Sequence, residues 1–336
     1  MILSILEPGL LTTVQDLGRP GYQQAGLVVG GAMDATALRV ANLLVGNPPT
    51  AAGLEITLRG PRIRFGDDCL LALAGADLSP TLDGQPVGRY RPVWVRAGTE
   101  LAFGRPVAGC RAYLAVAGGL AVPLVLGSRA TYLRAQLGGL HGRALQAGDE
   151  LPIGPLPPTG ARLLATLAPK AAGAAWAQAS WAVGPLLGPT PAPAPHLRAV
   201  RGPEYGQFGE ASQWALWQAP FEVTPAADRM GYRLQGPALV RPVPTELLSS
   251  AVTLGTVQVP PDGQAIVLLA DRQTTGGYPR VAQVITADFS ALAQLRPGQH
   301  FWFAEVTLAE AQALYLAHER RLRALQTGIA TSLLRA

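Results

Sequence analysis

The stretch Thr256-Val257-Gln258-Val259-Pro260-Pro261-Asp262-Gly263-Gln264 is followed by Ala265-Ile266-Val267-Leu268-Leu269-Ala270 and then by Asp271-Arg272-Gln273-Thr274-Thr275-Gly276-Gly277-Tyr278-Pro279. A short apolar run with branched residues, bounded on both sides by turn formers, reads as a buried strand with a polar loop at each end. The second loop gathers an acid, a guanidinium, an amide, two hydroxyls and a phenol, and its paired glycines let a backbone approach a ligand closely. The competing reading is a solvated turn with a few capping groups.

Outward from this unit, short apolar runs alternate with Gly, Pro and Asp turns. In Glu55-Ile56-Thr57-Leu58-Arg59-Gly60-Pro61-Arg62-Ile63-Arg64-Phe65, alternate residues are apolar over a strand's length. The chain therefore reads as mainly β. Three segments repeat a glycine turn followed by a strand-like pattern: Ala97-Gly98-Thr99-Glu100, Ala147-Gly148-Asp149-Glu150 and Pro297-Gly298-Gln299-His300. They are the nearest approach to an internal repeat, although any hairpin-rich barrel reuses such turns.

Helices are few. Asp34 is placed to cap a helix whose face holds Ala37, Leu38, Ala41, Leu44 and Val45, with Gly46 and Pro48 ending it. Thr307 with Glu310 forms a capping box ahead of an apolar stripe of Ala311, Leu314, Tyr315, Leu322 and Leu325, expected to pack on a barrel. A shorter helix is expected from Asp288 through Leu295.

At 336 residues the chain suits two domains. From Gly154 to Pro195 the composition shifts to Ala and Pro, ending in Pro189-Thr190-Pro191-Ala192-Pro193-Ala194-Pro195, an extended connector. The expected domains are residues 1–190 and 196–328. Trp176 and Trp181 imply that part of the connecting region docks on a surface. Charged residues make up 15% and hydrophobic ones 49%, with 39 Gly and 30 Pro, which fits a turn-rich globular protein and not a disordered one. The net charge of +5 is spread as scattered arginines without a basic run, which argues against a nucleic-acid surface and suits an anionic small substrate. Cys69 and Cys110 sit in apolar runs far from any His and read as buried thiols, so no metal site is inferred. Neither a signal sequence nor a membrane-length apolar run is visible, so a cytoplasmic location is expected.

Several longer blocks carry a resemblance. Pro8-Gly9, Thr12-Thr13-Val14-Gln15-Asp16-Leu17-Gly18-Arg19-Pro20-Gly21-Tyr22, Gly31-Ala32-Met33-Asp34, Ala41-Asn42-Leu43-Leu44-Val45-Gly46-Asn47-Pro48, Leu126-Gly127-Ser128-Arg129-Ala130-Thr131-Tyr132, Gly138-Gly139-Leu140-His141-Gly142-Arg143 and Asp228-Arg229-Met230-Gly231-Tyr232-Arg233-Leu234 join the two opening loops. From Pro8 to Phe303 these blocks resemble the biotin-dependent carboxyltransferase family. That family includes the C subunit of ATP-dependent 5-oxoprolinase, the second subunit named for allophanate hydrolase, and the Kip-type antagonist of a kinase inhibitor. The chain departs from the family pattern at Ala130 and Ala227, where Ser is common. The resemblance implies two cyclophilin-like β-barrel domains with a few short helices and a C-terminal helix, and it does not imply prolyl isomerase activity. It also implies an activity. A free-standing chain without biotin carboxylase or biotin carrier is most similar to the oxoprolinase subunit, which acts with a B-type and an A-type subunit to open 5-oxoproline to glutamate with ATP.

The expected chemistry follows. A lactam is a poor electrophile, so ATP, with Mg, activates its carbonyl oxygen before water opens the ring, and cations must meet phosphate and carboxylate. The catalytic candidates are Asp271, Arg272, Gln273 and Tyr278. The binding candidates are Gln258, Thr274, Thr275, Gly276, Gly277, Arg229, Arg19, Arg129 and His141. Asp271 is read as a base or a ligand for nucleotide-bound metal, the Gln and Thr residues as hydrogen-bonding groups for an amide or a ureido ring, and Tyr278 as a stacking or donating phenol. A guanidinium holds either anion with two parallel hydrogen bonds. The alternative for each Arg is an ion pair with Asp16, Asp228 or Asp271 that pins a loop. His196, His300 and His318 read as surface or packing residues, and Ser128 lacks a sequence-local base. The chain has no Walker A sequence, so ATP contact is implied by the family alone, through an assembled complex. Two further readings remain open: carboxyl transfer from biotin to a urea-like amide, and non-catalytic sequestration of a Kip-type inhibitor.

Overall fold

The computed structural model describes residues 1–168, 171, 173–184, 195–243 and 246–334. The chain forms two compact units. One comprises Met1–Arg19, Asp34–Gly188 and Arg320–Ala336, and the other Pro20–Met33 and Pro189–Glu319. The second unit thus includes a short piece of chain from near the N-terminus. Most of the Pro/Ala connector, at residues 185–194, lies outside the described residues.

The first unit is built on two antiparallel six-stranded sheets. In one, Glu150–Pro152, Ile2–Glu7, Arg62–Phe65, Glu100–Phe103, Pro80–Leu82 and Gln85–Pro86 follow in that order. In the other the order is Trp176–Gln178, Val93–Val95, Cys69–Asp77, Ala108–Val116, Gly53–Thr57 and Leu11–Gln15. The segment Glu55–Phe65, read above as one alternating strand, is divided between the two sheets. Leu58 takes a φ of 57° between its halves, a left-handed turn that the alternation of residue types does not reveal. Within the second half the expected alternation holds: Ile63 and Phe65 are fully buried, while Arg62 and Arg64 face outward and share Glu100. Leu3, Ile5, Leu54, Ile56, Leu71 and Leu114 belong to the same core, each such side chain stabilising by roughly 1.5–3 kcal/mol through burial.

The second unit is a closed seven-stranded barrel. His196–Arg201, Arg280–Val284, Thr256–Gln258, Ile266–Leu268, Gly231–Gln235, Phe221–Val223 and His300–Glu305 run round it in that order. Closure comes from the parallel pairing of Leu197 with Phe303 and its neighbours, the other pairings being antiparallel. Closing the sheet removes both edges. The apolar run read from the sequence is the strand Ile266–Leu268, with Val267 fully buried. Phe221, Phe301 and Phe303 pack against one another in the barrel interior, with ring centroids 5.1–6.4 Å apart. The mainly β fold with a terminal helix is as expected, while the strand pairings close a barrel in the second unit and form two open sheets in the first.

The three glycine turns are one structure used three times. Gly98, Gly148 and Gly298 have φ of 89°, 87° and 82°. Each donates its N–H to a carbonyl of a neighbouring strand, at Phe65, Ile5 and Val223, and the next residue's carbonyl accepts from that same neighbour's N–H.

Helix α1, Ala35–Leu44, starts as predicted, with the Asp34 carboxylate accepting from the Ala37 N–H at 2.9 Å. Helices α2 (Pro158–Leu167) and α3 (Glu210–Gln218) have no counterpart among the sequence expectations. Helix α4, Phe289–Ala293, matches the expected short helix, although the Asp288 carboxylate holds Arg198 rather than capping it. Helix α5, Leu308–Leu334, begins with the predicted capping box, Thr307 and Glu310 bonding reciprocally. Along its expected apolar stripe Leu322 is buried, Ala311, Leu314 and Leu325 are half-buried, and Tyr315 is 43% exposed. Among the described residues no helix is long and apolar enough to cross a membrane.

Candidate functional site

Both opening loops lie in the second unit. The strand Thr256–Gln258 delivers Gln258 into the interior, where the residue is 1% exposed. Gln258 Nε2 donates to the Tyr278 carbonyl at 3.2 Å, and its Oε1 accepts a long 3.4 Å bond from Gln273 Nε2. The two amides are thus brought together. The loop returns past them as a two-residue strand, Thr275–Gly276, paired with Ser250–Ala251. At Gly276 an added Cβ would lie 2.7 Å from Gln258 Nε2, so any larger residue there would displace the Gln258 amide. Thr274 engages through its backbone, its carbonyl accepting from Val252, and Thr275 is exposed.

Asp271 has a different place from the one expected of a base. It is buried with Arg229, whose Nε donates to Oδ2 at 2.8 Å and whose Nη2 donates to Oδ1 at 2.9 Å. The side chains are each 6% exposed. Arg229 Nη2 also donates to the Gly31 carbonyl at 2.6 Å, so this pair ties the loop to the early segment of the same unit. The loop-pinning alternative is the one the geometry supports for Arg229. Asp228 accepts from the N–H groups of Met230 and Gly231 and closes its own turn.

Arg272, next in the chain, is different again. It is partly buried, and among the described residues its guanidinium makes only long bonds, to the carbonyls of Val252 (3.4 Å) and Leu269 (3.3 Å). No carboxylate among the described residues pairs with it, and burial pulls its pKa below the usual arginine value. Arg280, at the far end of the loop, is neutralised in turn by Glu204, with bonds of 2.9 and 2.8 Å. Glu204 is a residue that sequence reading missed, because its partner lies 76 positions away.

Beside the loops lies a cavity of about 620 Å³. Its lining includes Val259 and Pro260 from the first loop, Gly277 and Tyr278 from the second, and Phe208 and Leu239. Tyr278 is 46% exposed and so presents its phenol to the cavity or to solvent. Asp271, Arg272 and Gln273 do not line it.

Arg19, Arg129 and His141 lie in the first unit. Arg19 is almost fully buried, and its Nη2 donates to the Ala130 carbonyl. Asp16 accepts from the Gly18 N–H, the Ser128 hydroxyl and the Arg129 N–H, so its carboxylate organises backbone and pairs with neither guanidinium in a fork. Arg129 Nε donates to the Val122 carbonyl at 2.8 Å. Ser128 is fully buried, its hydroxyl donating to Asp16 at 2.7 Å. Ala130, where the family often has Ser, contributes through its backbone: its N–H bonds the Ser128 hydroxyl. His141 is exposed, with φ of 58°. A buried set not read from the sequence joins Glu55, Arg111 and Tyr113, the Tyr113 hydroxyl donating to Glu55 at 2.7 Å and accepting from the Asp34 N–H. Burial, reinforced by Glu55 and Asp34, raises the Tyr113 pKa well above its usual value. Its members are strand residues whose periodicity signals only burial.

Residues 25–305 match the family described as carboxyltransferase domain, subdomains A and B. The chain belongs to the carboxyltransferase-domain family. Among the relatives of this chain, the C subunit of 5-oxoprolinase from Escherichia coli is 44% identical over 310 residues, which are 92% of this chain and 93% of that one. The protein of the same name from Haemophilus influenzae is 40% identical over 319 residues, 95% and 96% of the two chains. The crystal structure of K. lactis urea amidolyase is similar with a TM-score of 0.86 and 28% identity, covering 96% of this chain and 20% of that one. The resemblance carried by the sequence blocks is therefore confirmed, and the carboxyltransferase fold extends over both units.

Proposed function

We propose that the chain is the C subunit of an ATP-dependent 5-oxoprolinase, working in a complex with B-type and A-type subunits. The observation that carries this reading is the identity of 44% over nearly the full length of a protein named for that role. The urea amidolyase match supports a shared fold but spans only a fifth of that chain. In the proposed reaction the γ-phosphoryl group of ATP passes to the lactam carbonyl oxygen, leaving ADP. One water then adds at the carbonyl carbon as the ring C–N bond breaks and the nitrogen takes a proton, and a second water releases phosphate. The chain's contribution is binding and orientation. The buried Asp271–Arg229 pair fixes the loop, Gln258 and Gln273 present hydrogen-bonding groups, and Arg272 supplies positive charge. ATP with Mg is a substrate of the assembled complex in this reading. Both Asp271 oxygens are taken by Arg229, so the metal is expected to be met elsewhere.

Carboxyl transfer is the second reading, favoured by the family match and by the fold of urea amidolyase. There the same amides suit the ureido ring of biotin. The two are separated by assembling the chain with its partners and following ADP release. The first reading expects release driven by 5-oxoproline without added biotin; release that requires urea and a biotin carrier would overturn it.

A further inference from the structure

Three arginines flank the second loop, and their charges are met differently. Arg229 is neutralised by the fork of Asp271 and Arg280 by the fork of Glu204. Arg272 is a partly buried guanidinium held by two long carbonyl contacts, with no carboxylate among the described residues. A charge removed from water without a partner is costly, and an arriving anion relieves that cost. One uncancelled positive charge matches a monoanion. A triphosphate carries several charges and is ordinarily met by a metal, several cations or a nest of N–H groups, while urea is neutral and gains nothing from an ion pair.

The neighbouring residue adds a second kind of selectivity. Gln273 spends one N–H on a 3.4 Å contact with Gln258 Oε1, and among the described residues its own Oε1 has no hydrogen-bond partner. Gln258 is held in turn by the Tyr278 carbonyl and closed in by Gly276. A primary carboxamide with a spare oxygen and a spare N–H complements a lactam, whose ring fixes N–H and C=O on the same side. A linear trans amide cannot make that paired contact.

We propose that Arg272 and Gln273 form the substrate-specificity pair of this chain, Arg272 binding the carboxylate and Gln273 the cis-amide edge of a small lactam acid. This deepens the oxoprolinase reading and rests on it for the identity of the lactam, but the ligand chemistry follows from the site itself. The nucleotide is then bound by other groups.

The test measures binding and turnover in the same assembled complex. Affinity for 5-oxoproline and for its neutral carboxamide is taken by calorimetry, alongside KM and kcat from ADP release, for the native chain, Arg272→Gln, Arg272→Lys and Gln273→Met. Arg272→Gln is expected to weaken 5-oxoproline about 100-fold, as for loss of one partner of a desolvated charged pair, with little change for the carboxamide. Arg272→Lys should recover part of that loss, and Gln273→Met should weaken both ligands alike, by about tenfold. Equal loss of both ligands in Arg272→Gln, or unchanged affinity for 5-oxoproline, would overturn the proposal even if turnover is normal. Native binding with the expected Arg272 dependence but no turnover would sustain the pair and sink the oxoprolinase reading alone. No binding of either ligand to the native complex would sink both.

Discussion

Asp271 is the residue whose role changes most between sequence and structure. Its neighbours in the chain invite a catalytic reading, but its carboxylate is enclosed with Arg229 at 2.8 and 2.9 Å. Removing one member of a buried pair strands the other, so Asp271→Ala is expected to lower the unfolding free energy by about 3 kcal/mol or more in chemical denaturation. The double variant Asp271→Ala with Arg229→Met should lose less than the sum of the single losses, because the stranded charge is gone. Additive losses would mean that the two side chains do not act as a unit. A second residue-scale expectation concerns acid. Arg280 and, to a lesser degree, backbone N–H groups hold Glu204 below its ordinary value of 4.5. A depressed carboxylate contributes stability that is present above the unfolded value and is lost as pH falls through the lower folded one. Thermal melting of the native chain should therefore drop as pH is taken below about 4.5, and Glu204→Gln should flatten that part of the curve. An identical slope in the variant would remove the pair from the explanation. At this scale the sequence showed which side chains were clustered but not which were already spoken for. Arg272 and Arg229 look equivalent in a string of letters; a partner 42 positions away separates them.

Among elements, the strands with strict alternation and the capped helices were legible. Asp34 and the Thr307–Glu310 box act locally, within one helical turn, and so are written locally. The break of Glu55–Phe65 between two sheets was not legible, because it depends on which strands each half meets. The repeated glycine turns were visible as a pattern and turn out to share one backbone geometry. They also give a graded prediction. A Cβ at Gly98, Gly148 or Gly298 meets nothing within 4 Å, so alanine there should cost only the left-handed strain of about 1 kcal/mol each. At Gly139 the added Cβ would overlap Thr131 Oγ1, which is buried and bonded to the Val14 carbonyl, so Gly139→Ala should cost about 3 kcal/mol or more. Equilibrium unfolding of the four variants checks the order, and a Gly298→Ala loss as large as that of Gly139→Ala would contradict it.

At the scale of the whole molecule, length and the Ala/Pro shift led to the expectation of two consecutive β domains, whereas the two compact units interleave along the chain. The inclusion of Pro20–Met33 in the second unit could not be foreseen, because it depends on long-range bonds such as that from Arg229 to Gly31. Membership of the carboxyltransferase family was readable because its blocks are long and ordered, and it is borne out across residues 25–305. The chemistry that a complex performs is a property of the whole assembly. The most direct measurement is therefore the yield of glutamate per ADP when 5-oxoproline and ATP are given to the A-type and B-type partners with and without this chain. The oxoprolinase account predicts one glutamate for each ADP with the chain present and neither product above background without it. Equal product yields with the chain omitted, or ADP released without glutamate, would contradict it.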